Sequence, residues 1–490
     1  MKHTLGLFPH GKGPCGKGMG INMKNMTLEN IAKACKGTLY GAVQTEEKAP
    51  GQEEASCVVI DSRKIEPGGI FIATRGERVD GHTFIPAVAE KGALGVVCEE
   101  APEHVGIPYI LVEDSFKALK DIAGYYRQQL DIWVVGITGS VGKTSTKELI
   151  ASVLSMKYHV LKTQGNFNNE VGLPLTVLSI REEHQIAVLE MGISGFGEMH
   201  RLSKIARPDI CVMTNIGQCH LENLGSREGI LQAKSEIFDY MNPDGYVFVN
   251  GDDDMLRRIG KTGKRKPVHF GMSPVNEIYG SDVLSKGLFG TNVVVHGNLE
   301  VFPIEIPLPG IHMVTDALAA VGVGMQMGLS VQEIRRGIAE AKTVSGRSNV
   351  LSLPFCTLID DCYNANPASM RAAVDLLAMA LGRRVAVLGD MFELGVNEKE
   401  LHAETGAYVV EKGIEVLVCT GTLSRNMYEA AVEKNKAAGS GRKTEIYYFD
   451  TREAMLEGLP GILKKGDTVL VKASHGMQFE KAVEFLKNYS

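Results

Sequence analysis

Asp131-Ile-Trp-Val-Val-Gly-Ile-Thr-Gly-Ser-Val-Gly-Lys-Thr-Ser-Thr146 is an apolar run that ends in a glycine-rich loop. Gly136, Gly139 and Gly142 let the backbone turn tightly and aim N–H groups inward. Lys143 adds a cation, and Thr144 offers a hydroxyl of the kind Mg²⁺ takes. Leu149, Ile150, Val153 and Leu154 then recur at helical spacing, so a bound phosphate would lie at a helix N-terminus. Strand, loop and helix in this order predict a nucleoside-triphosphate site. The strict spacing wants glycine five residues before Gly142, where this chain has Ile137. An ordinary strand–turn–helix is the alternative.

Outward from that loop, 490 residues allow two to four domains, each with its own core. A charged fraction of 22% and an aromatic fraction of 6% fit a soluble globular protein. The net charge of −6 gives no support to nucleic acid as a partner. No apolar run approaches the length of a membrane span. Nine cysteines lie scattered without a Cys-x-x-Cys pair, which reads as reduced thiols in a cytoplasmic protein. Residues 1–22 are rich in Gly and Lys, lack the apolar segment of a signal peptide, and are expected to form a disordered extension.

The pattern predicts an α/β chain of three domains, at residues 23–130, 131–344 and 345–490. In the first, Thr27 is a plausible N-cap with Asn30 at the third position, and Gly37 is expected to stop the helix. Short strands are expected at Cys57–Asp61, Gly69–Ala73, Leu94–Cys98 and Tyr109–Val112, with a helix at His82–Lys91. In the second, buried strands at Ile186–Glu190, Ile210–Asn215 and Tyr246–Asn250 alternate with helices, implying a mostly parallel sheet. Residues 265–310 read as an inserted sheet, followed by helices Val314–Met327 and Val331–Lys342. In the third, strands at Thr357–Asp361, Arg384–Gly389, Val416–Thr420, Glu445–Phe449 and Thr468–Lys472 alternate with amphipathic segments. That is a Rossmann-like pattern, without a dinucleotide fingerprint.

Three further stretches carry chemistry. Thr163-Gln-Gly-Asn-Phe-Asn-Asn-Glu-Val-Gly172 places Asn166, Asn168 and Asn169 in a polar loop that either holds a substrate or satisfies its own Asx-turns. Glu190 ends an apolar strand at the edge where ligands bind; it either meets Mg²⁺ or caps the turn at Gly192. His220, in Thr214-Asn-Ile-Gly-Gln-Cys-His-Leu221, is a metal ligand or a hydrogen-bonded histidine. Lys234 on the next helix would ordinarily be solvated.

In this order, Gly-Ile-Thr-Gly-Ser-Val-Gly-Lys-Thr144, the Thr-x-Gly-Asn-x-Asn-Asn169 loop, Leu-Glu-Met-Gly192, Thr-Asn-Ile-Gly-x-x-His-Leu221 and Gln-Ala-Lys-Ser-Glu-Ile237 resemble the ATP domain of the Mur ligases. Gly346-Arg347, Ile359-Asp-Asp-Cys-Tyr-Asn-Ala-Asn-Pro-Ala-Ser-Met370 and Leu388-Gly-Asp-Met-Phe-Glu-Leu-Gly395 are similar to that family's third domain. The resemblance runs from about residue 24 to the C-terminus. It implies ATP and Mg²⁺ as cofactors, UDP-MurNAc-tripeptide and D-Ala-D-Ala as substrates, and a monomer.

The resemblance also implies roles. Thr138, Gly139, Ser140, Val141, Gly142, Lys143 and Thr144 would hold the phosphates. Thr144 and Glu190 would meet Mg²⁺, with His220 on a second ion and Lys234 carbamylated. Asn215, Arg347 and Asp361 would contact ATP, Asn364 and Asn366 the nucleotide or the dipeptide, and Ser62 and Arg63 the nucleotide sugar. Two residues depart from the family pattern: Asp316 stands where Asn is usual, and His475 where Lys472-Ala-Ser-His475 would be expected to end in Arg. The implied reaction activates a carboxylate as an acyl phosphate, which an amine then attacks. The alternatives are a folylpolyglutamate synthase, another muramyl ligase, or a non-catalytic ATP-binding regulator.

Overall fold

The strand Trp133–Thr138 lies inside a nine-stranded sheet, between parallel neighbours Ile186–Glu190 and Ile210–Met213. Its position explains its composition: a parallel strand covered on both faces reads as one continuous apolar run. The computed structural model describes residues 22–41, 53–76, 79–103, 106–262, 264, 266–297, 300–437 and 443–489. The expected N-terminal extension, apart from Asn22, lies outside the described residues.

Seven strands of the central sheet run parallel, in the order Val160–Lys162, Ile186–Glu190, Trp133–Thr138, Ile210–Met213, Tyr246–Asn250, Val268–Gly271 and Ile278–Ser285. Thr291–Gly297 and Glu300–Ile306 then add antiparallel. Residues 265–310 are therefore no separate inserted sheet. They extend the central one, through the pairs Phe248↔Val268 and Phe270↔Ile278. The change of pattern is real, because Thr291–Gly297 alternates buried and half-buried residues, as a strand covered on one face does. Helix His312–Gln326 covers that face, with Leu318, Val321 and Val314 in the same core as Val293, Val295 and Ile304.

The N-terminal sheet has five strands, in the order Thr38–Tyr40, Tyr109–Leu111, Gly95–Cys98, Ile70–Ile72 and Val58–Val59, with only the first pair antiparallel. The Thr27 side chain accepts from Asn30 N–H at 3.2 Å, as expected of the cap. Gly37, however, does not end the helix. Lys36 takes the left-handed position at φ 56°, while Gly37 is needed for close approach. A Cβ there would lie 2.5 Å from Ile110 Cγ2. The expected helix at His82–Lys91 is a 3₁₀ turn, Gly81–Phe84, followed by helix Ile85–Glu90. Helix Ser115–Gln129 joins this layer to the central one: Tyr126 Oη donates to Ile180 O at 2.7 Å, and Arg127 Nε to Ala206 O at 2.9 Å.

The C-terminal sheet is ordered Asn349–Ser352, Thr357–Asp360, Thr468–Lys472, Arg384–Gly389, Val416–Thr420 and Glu445–Phe449, with the first pair alone antiparallel. Helices Pro367–Ala378 and Glu398–Glu411 lie against it. The eight described cysteines are free and buried. Among the described residues no helix is long and apolar enough to cross a membrane.

Candidate active site

Helix Lys143–Leu154 begins at Gly142, whose φ is 81° and which offers no side chain to cap it. The first-turn N–H groups of such a helix have no intrahelical acceptor and carry the positive end of its dipole. They open onto a cavity of about 600 Å³ between the central and C-terminal sheets. Gly139 is enforced by packing, since a Cβ there would sit 1.9 Å from Thr214 Oγ1.

Asn215 holds the loop itself. Its backbone carbonyl accepts from Ser140 N–H (3.0 Å) and its Oδ1 from Val141 N–H (2.9 Å), while its Nδ2 donates to Val141 O (3.2 Å). Those loop N–H groups are committed, which leaves the helix end for an anion. Lys143 Nζ donates to Gly139 O at 2.8 Å, folded over its own loop. Burial lowers its pKa, and the charge of Glu190 opposes that shift.

Thr144 Oγ1 donates to Glu190 Oε2 at 3.0 Å, and Asn168 Nδ2 donates to Glu190 Oε1 at 2.8 Å. Two adjacent ligands of an octahedral Mg²⁺, each about 2.1 Å from the ion, stand about 3 Å apart. The hydroxyl–carboxylate pair therefore fits that ion, with phosphate and water supplying the other positions. Among the described residues no cluster of three or more His, Cys, Asp or Glu forms an all-protein metal cage.

Within the asparagine loop, Asn169 is occupied by capping. Its Oδ1 accepts from Val171 N–H (3.2 Å) and Gly172 N–H (2.9 Å). Asn366 is likewise the N-cap of helix Pro367–Ala378, in a reciprocal box with Ser369. Asn166, Asn168, Asn169, Asn364 and Asn366 all line the cavity.

The C-terminal side brings Arg347 over the Tyr363 ring, 4.0 Å from its centroid. The His475 ring lies beside Tyr363 at 5.5 Å and is not on the cavity lining. Asp361 lines the cavity but is paired, with Lys472 Nζ at 2.6 Å and Ser348 N–H at 2.9 Å. Lys472, which sequence reading did not single out, also donates to Asn364 O at 2.9 Å and so fixes this loop.

His220 lines the cavity with φ 52°, and its Nδ1 lies 2.6 Å from Glu393 Oε2, across the domain boundary. Burial lowers the imidazole pKa, the Glu393 charge raises it, and Lys234 and Lys143 lower it further. Lys234 is not solvated: it is 1% exposed. Burial first, and then repulsion from Lys143, bring its pKa to about 8. Asp316 lines the cavity too. Oδ1 accepts from Thr146 Oγ1 at 2.9 Å, Oδ2 is buried without a partner, and burial lifts the pKa to about 7.

Thr138, Gly139 and Lys234 stand behind the lining rather than on it. Ser62 and Arg63 do not reach this cavity. Arg63 lies on the N-terminal unit, held bidentate by Asp61 at 2.9 Å through both contacts, and Ser62 O accepts from Lys91. Lys147 and Glu393 were missed in the sequence. Lys147, four residues after Lys143 on the same helix, carried a signal in that spacing; Glu393 lies inside the stretch Leu388-Gly-Asp-Met-Phe-Glu-Leu-Gly395, which marked its loop but not its contact with His220.

Three segments match models of known families: residues 54–127 the Mur ligase family catalytic domain, 137–324 the Mur ligase middle domain, and 346–475 the Mur ligase glutamate ligase domain. The chain is 36% identical over 471 residues to the UDP-N-acetylmuramoyl-tripeptide–D-alanyl-D-alanine ligase of Bacillus subtilis, covering 95% of this chain and 99% of that one. Its fold superposes on a crystal structure of MurF from Acinetobacter baumannii with a TM-score of 0.83 at 31% identity, covering 95% and 99% of the two chains. On the MurF ligase of Thermotoga maritima in complex with ADP the TM-score is 0.75 at 30% identity, covering 88% and 97%. Three family models in chain order, and a relative 36% identical over 95% of the chain, show that the protein belongs to the Mur ligases.

Proposed function

We propose that the protein uses ATP to join D-Ala-D-Ala to UDP-MurNAc-tripeptide, giving the pentapeptide precursor of peptidoglycan, ADP and phosphate. The observation that carries this reading is the convergence of the uncapped helix end, Glu190 and Arg347 on one cavity between two sheets. The names of full-length relatives support the choice of substrates.

A carboxylate is a poor electrophile, so the terminal carboxylate of the tripeptide first takes the γ-phosphoryl of ATP. The dipeptide amine then attacks the acyl phosphate carbonyl, and phosphate leaves. The first-turn N–H groups of helix Lys143–Leu154 bind the phosphates, and Lys143 leaves Gly139 O to neutralise the charge that moves. Arg347, steadied on Tyr363, reaches the nucleotide from the C-terminal side. Thr144 and Glu190 would hold Mg²⁺, with His220 and, if carbamylated, Lys234 available to a second ion; the metal would supply charge neutralisation for the phosphoryl transfer. Closure of the C-terminal domain excludes water that would hydrolyse the acyl phosphate. Ser62 and Arg63 bind the nucleotide sugar. Nucleotide substrates fit a cytoplasmic setting.

Phosphate release tests this reading. It is expected only when ATP, UDP-MurNAc-tripeptide and D-Ala-D-Ala are all present, with the lysine and diaminopimelate tripeptides compared side by side. Turnover with glutamate in place of D-Ala-D-Ala, and none with the dipeptide, would overturn it.

A further inference from the structure

His220 and Glu393 meet with left-handed backbone at both ends of the contact, φ 52° and 61°. Side chains with a Cβ rarely adopt that region, so the surrounding structure holds each of them there. Glu393 stands on a loop pinned from behind. Met391 N–H donates to His402 Nε2 and Phe392 N–H to Ser474 Oγ, both at 2.9 Å. On the central side, the turn at Gly395 abuts helix Leu221–Leu224: a Cβ on Gly395 would come 3.7 Å from Glu222 N. The Glu393 carboxylate is half exposed, and its Oε2 lies 2.6 Å from His220 Nδ1, a buried ring nitrogen with no aligned hydrogen-bond partner, so the two meet as an ion pair at close range.

A carboxylate on one ring nitrogen fixes the orientation of an imidazole and commits the other nitrogen to the opposite side. We propose that Glu393 is a positioning residue for this reaction. It seats the imidazole through Nδ1 and leaves Nε2 to the nucleotide cavity, so the cation-binding end of the site is complete only when the C-terminal domain is docked. This rests on the reading of His220 as a residue facing the metal–nucleotide.

The test is binding of Mn²⁺ to the full chain saturated with a non-hydrolysable ATP analogue, read by electron paramagnetic resonance. It is run on Glu393→Ala, Glu393→Gln and His220→Ala, alongside each thermal midpoint. Glu393→Ala should weaken Mn²⁺ binding by about 10-fold or more, as expected when a carboxylate supporting a metal-side histidine is lost. Its midpoint should stay unchanged, because the side chain is half exposed. Glu393→Gln keeps an acceptor oxygen at the same reach and should keep wild-type binding. In turnover, kcat should fall in Glu393→Ala while KM for the UDP-tripeptide holds. If His220→Ala weakens Mn²⁺ binding and Glu393→Ala does not, the positioning role is overturned alone. If neither weakens it, the role of His220 falls as well. Equal loss in the Gln and Ala variants also overturns the proposal, whatever the stability of the Ala variant.

Discussion

Lys147 Nζ lies 4.0 Å from Glu190 Oε2, and each side chain is only 1% exposed. The lysine also donates to Thr163 O at 2.8 Å and pairs with Glu148 at 2.9 Å, while Thr163 Oγ1 accepts from Glu190 N–H at 3.0 Å. Lys147 therefore faces the buried carboxylate from behind, Thr163 fixes the Glu190 backbone, and Thr144 and Asn168 hold the carboxylate from the cavity side.

Removing that cation should be costly. Breaking one partner out of a buried charge cluster costs about 3–5 kcal/mol, because the remaining charge is left uncompensated. Lys147→Met is expected to lower unfolding free energy by about that amount in urea titration, and to weaken Mn²⁺ binding with nucleotide present. Wild-type stability in Lys147→Met would show that the hydrogen bonds to Glu190 suffice alone.

Lys143 differs from Lys147, since its visible partner is a carbonyl of its own loop. Lys143→Ala should therefore leave the thermal midpoint close to wild type and abolish ligation, by about 10³-fold or more for a phosphate-neutralising cation. Near-normal turnover by a folded variant would remove the loop from the ATP site.

The parallel strands were legible because full burial on both faces makes an unbroken apolar run. Arg384–Gly389, Val416–Thr420 and Thr468–Lys472 fall where they were expected, to the residue; so does the half-buried edge strand Glu445–Phe449, legible by its run of branched and aromatic side chains. Thr38–Tyr40, Val160–Lys162 and Asn349–Ser352 were not legible, being three or four residues at sheet edges with no fully buried side chain. Thr144 and Glu190 could be read because a loop and a strand end announce them locally. The Asn215 clamp, the Glu393 contact and the burial of Lys234 are products of tertiary packing, and no local pattern encodes them.

Asp316 carries a pH prediction. Its folded pKa of about 7 is set by burial, against about 3.9 for an unfolded aspartate. The folded state then keeps a proton that the unfolded chain gives up, so stability falls as pH rises from about 4 to about 7 and stays reduced above that. Asp316→Asn removes the ionisation while keeping an acceptor for Thr146. It should raise stability at pH 8 by about 1–4 kcal/mol and flatten the profile between pH 5 and 8. Parallel profiles for variant and wild type, from thermal melts across that range, would assign the pH dependence to another group.

Lys234 carries the last prediction. Carbamylation needs a neutral amine, and a lysine buried against a second cation reaches neutrality far closer to physiological pH than a solvated one. A carbamate would replace the ammonium, which repels Lys143, with oxygens of the kind Mg²⁺ prefers. Enzyme incubated with ¹³C-bicarbonate should show one carbamate carbon resonance that Lys234→Ala lacks. Lys234→Ala should lose most activity, and short carboxylic acids that fit the vacated space should restore part of it. If the ¹³C signal is absent in active wild-type enzyme, Lys234 acts as a lysine. The ligase reading would stand without it, because Lys143, Thr144 and Glu190 meet at the nucleotide end of the cavity independently of that group.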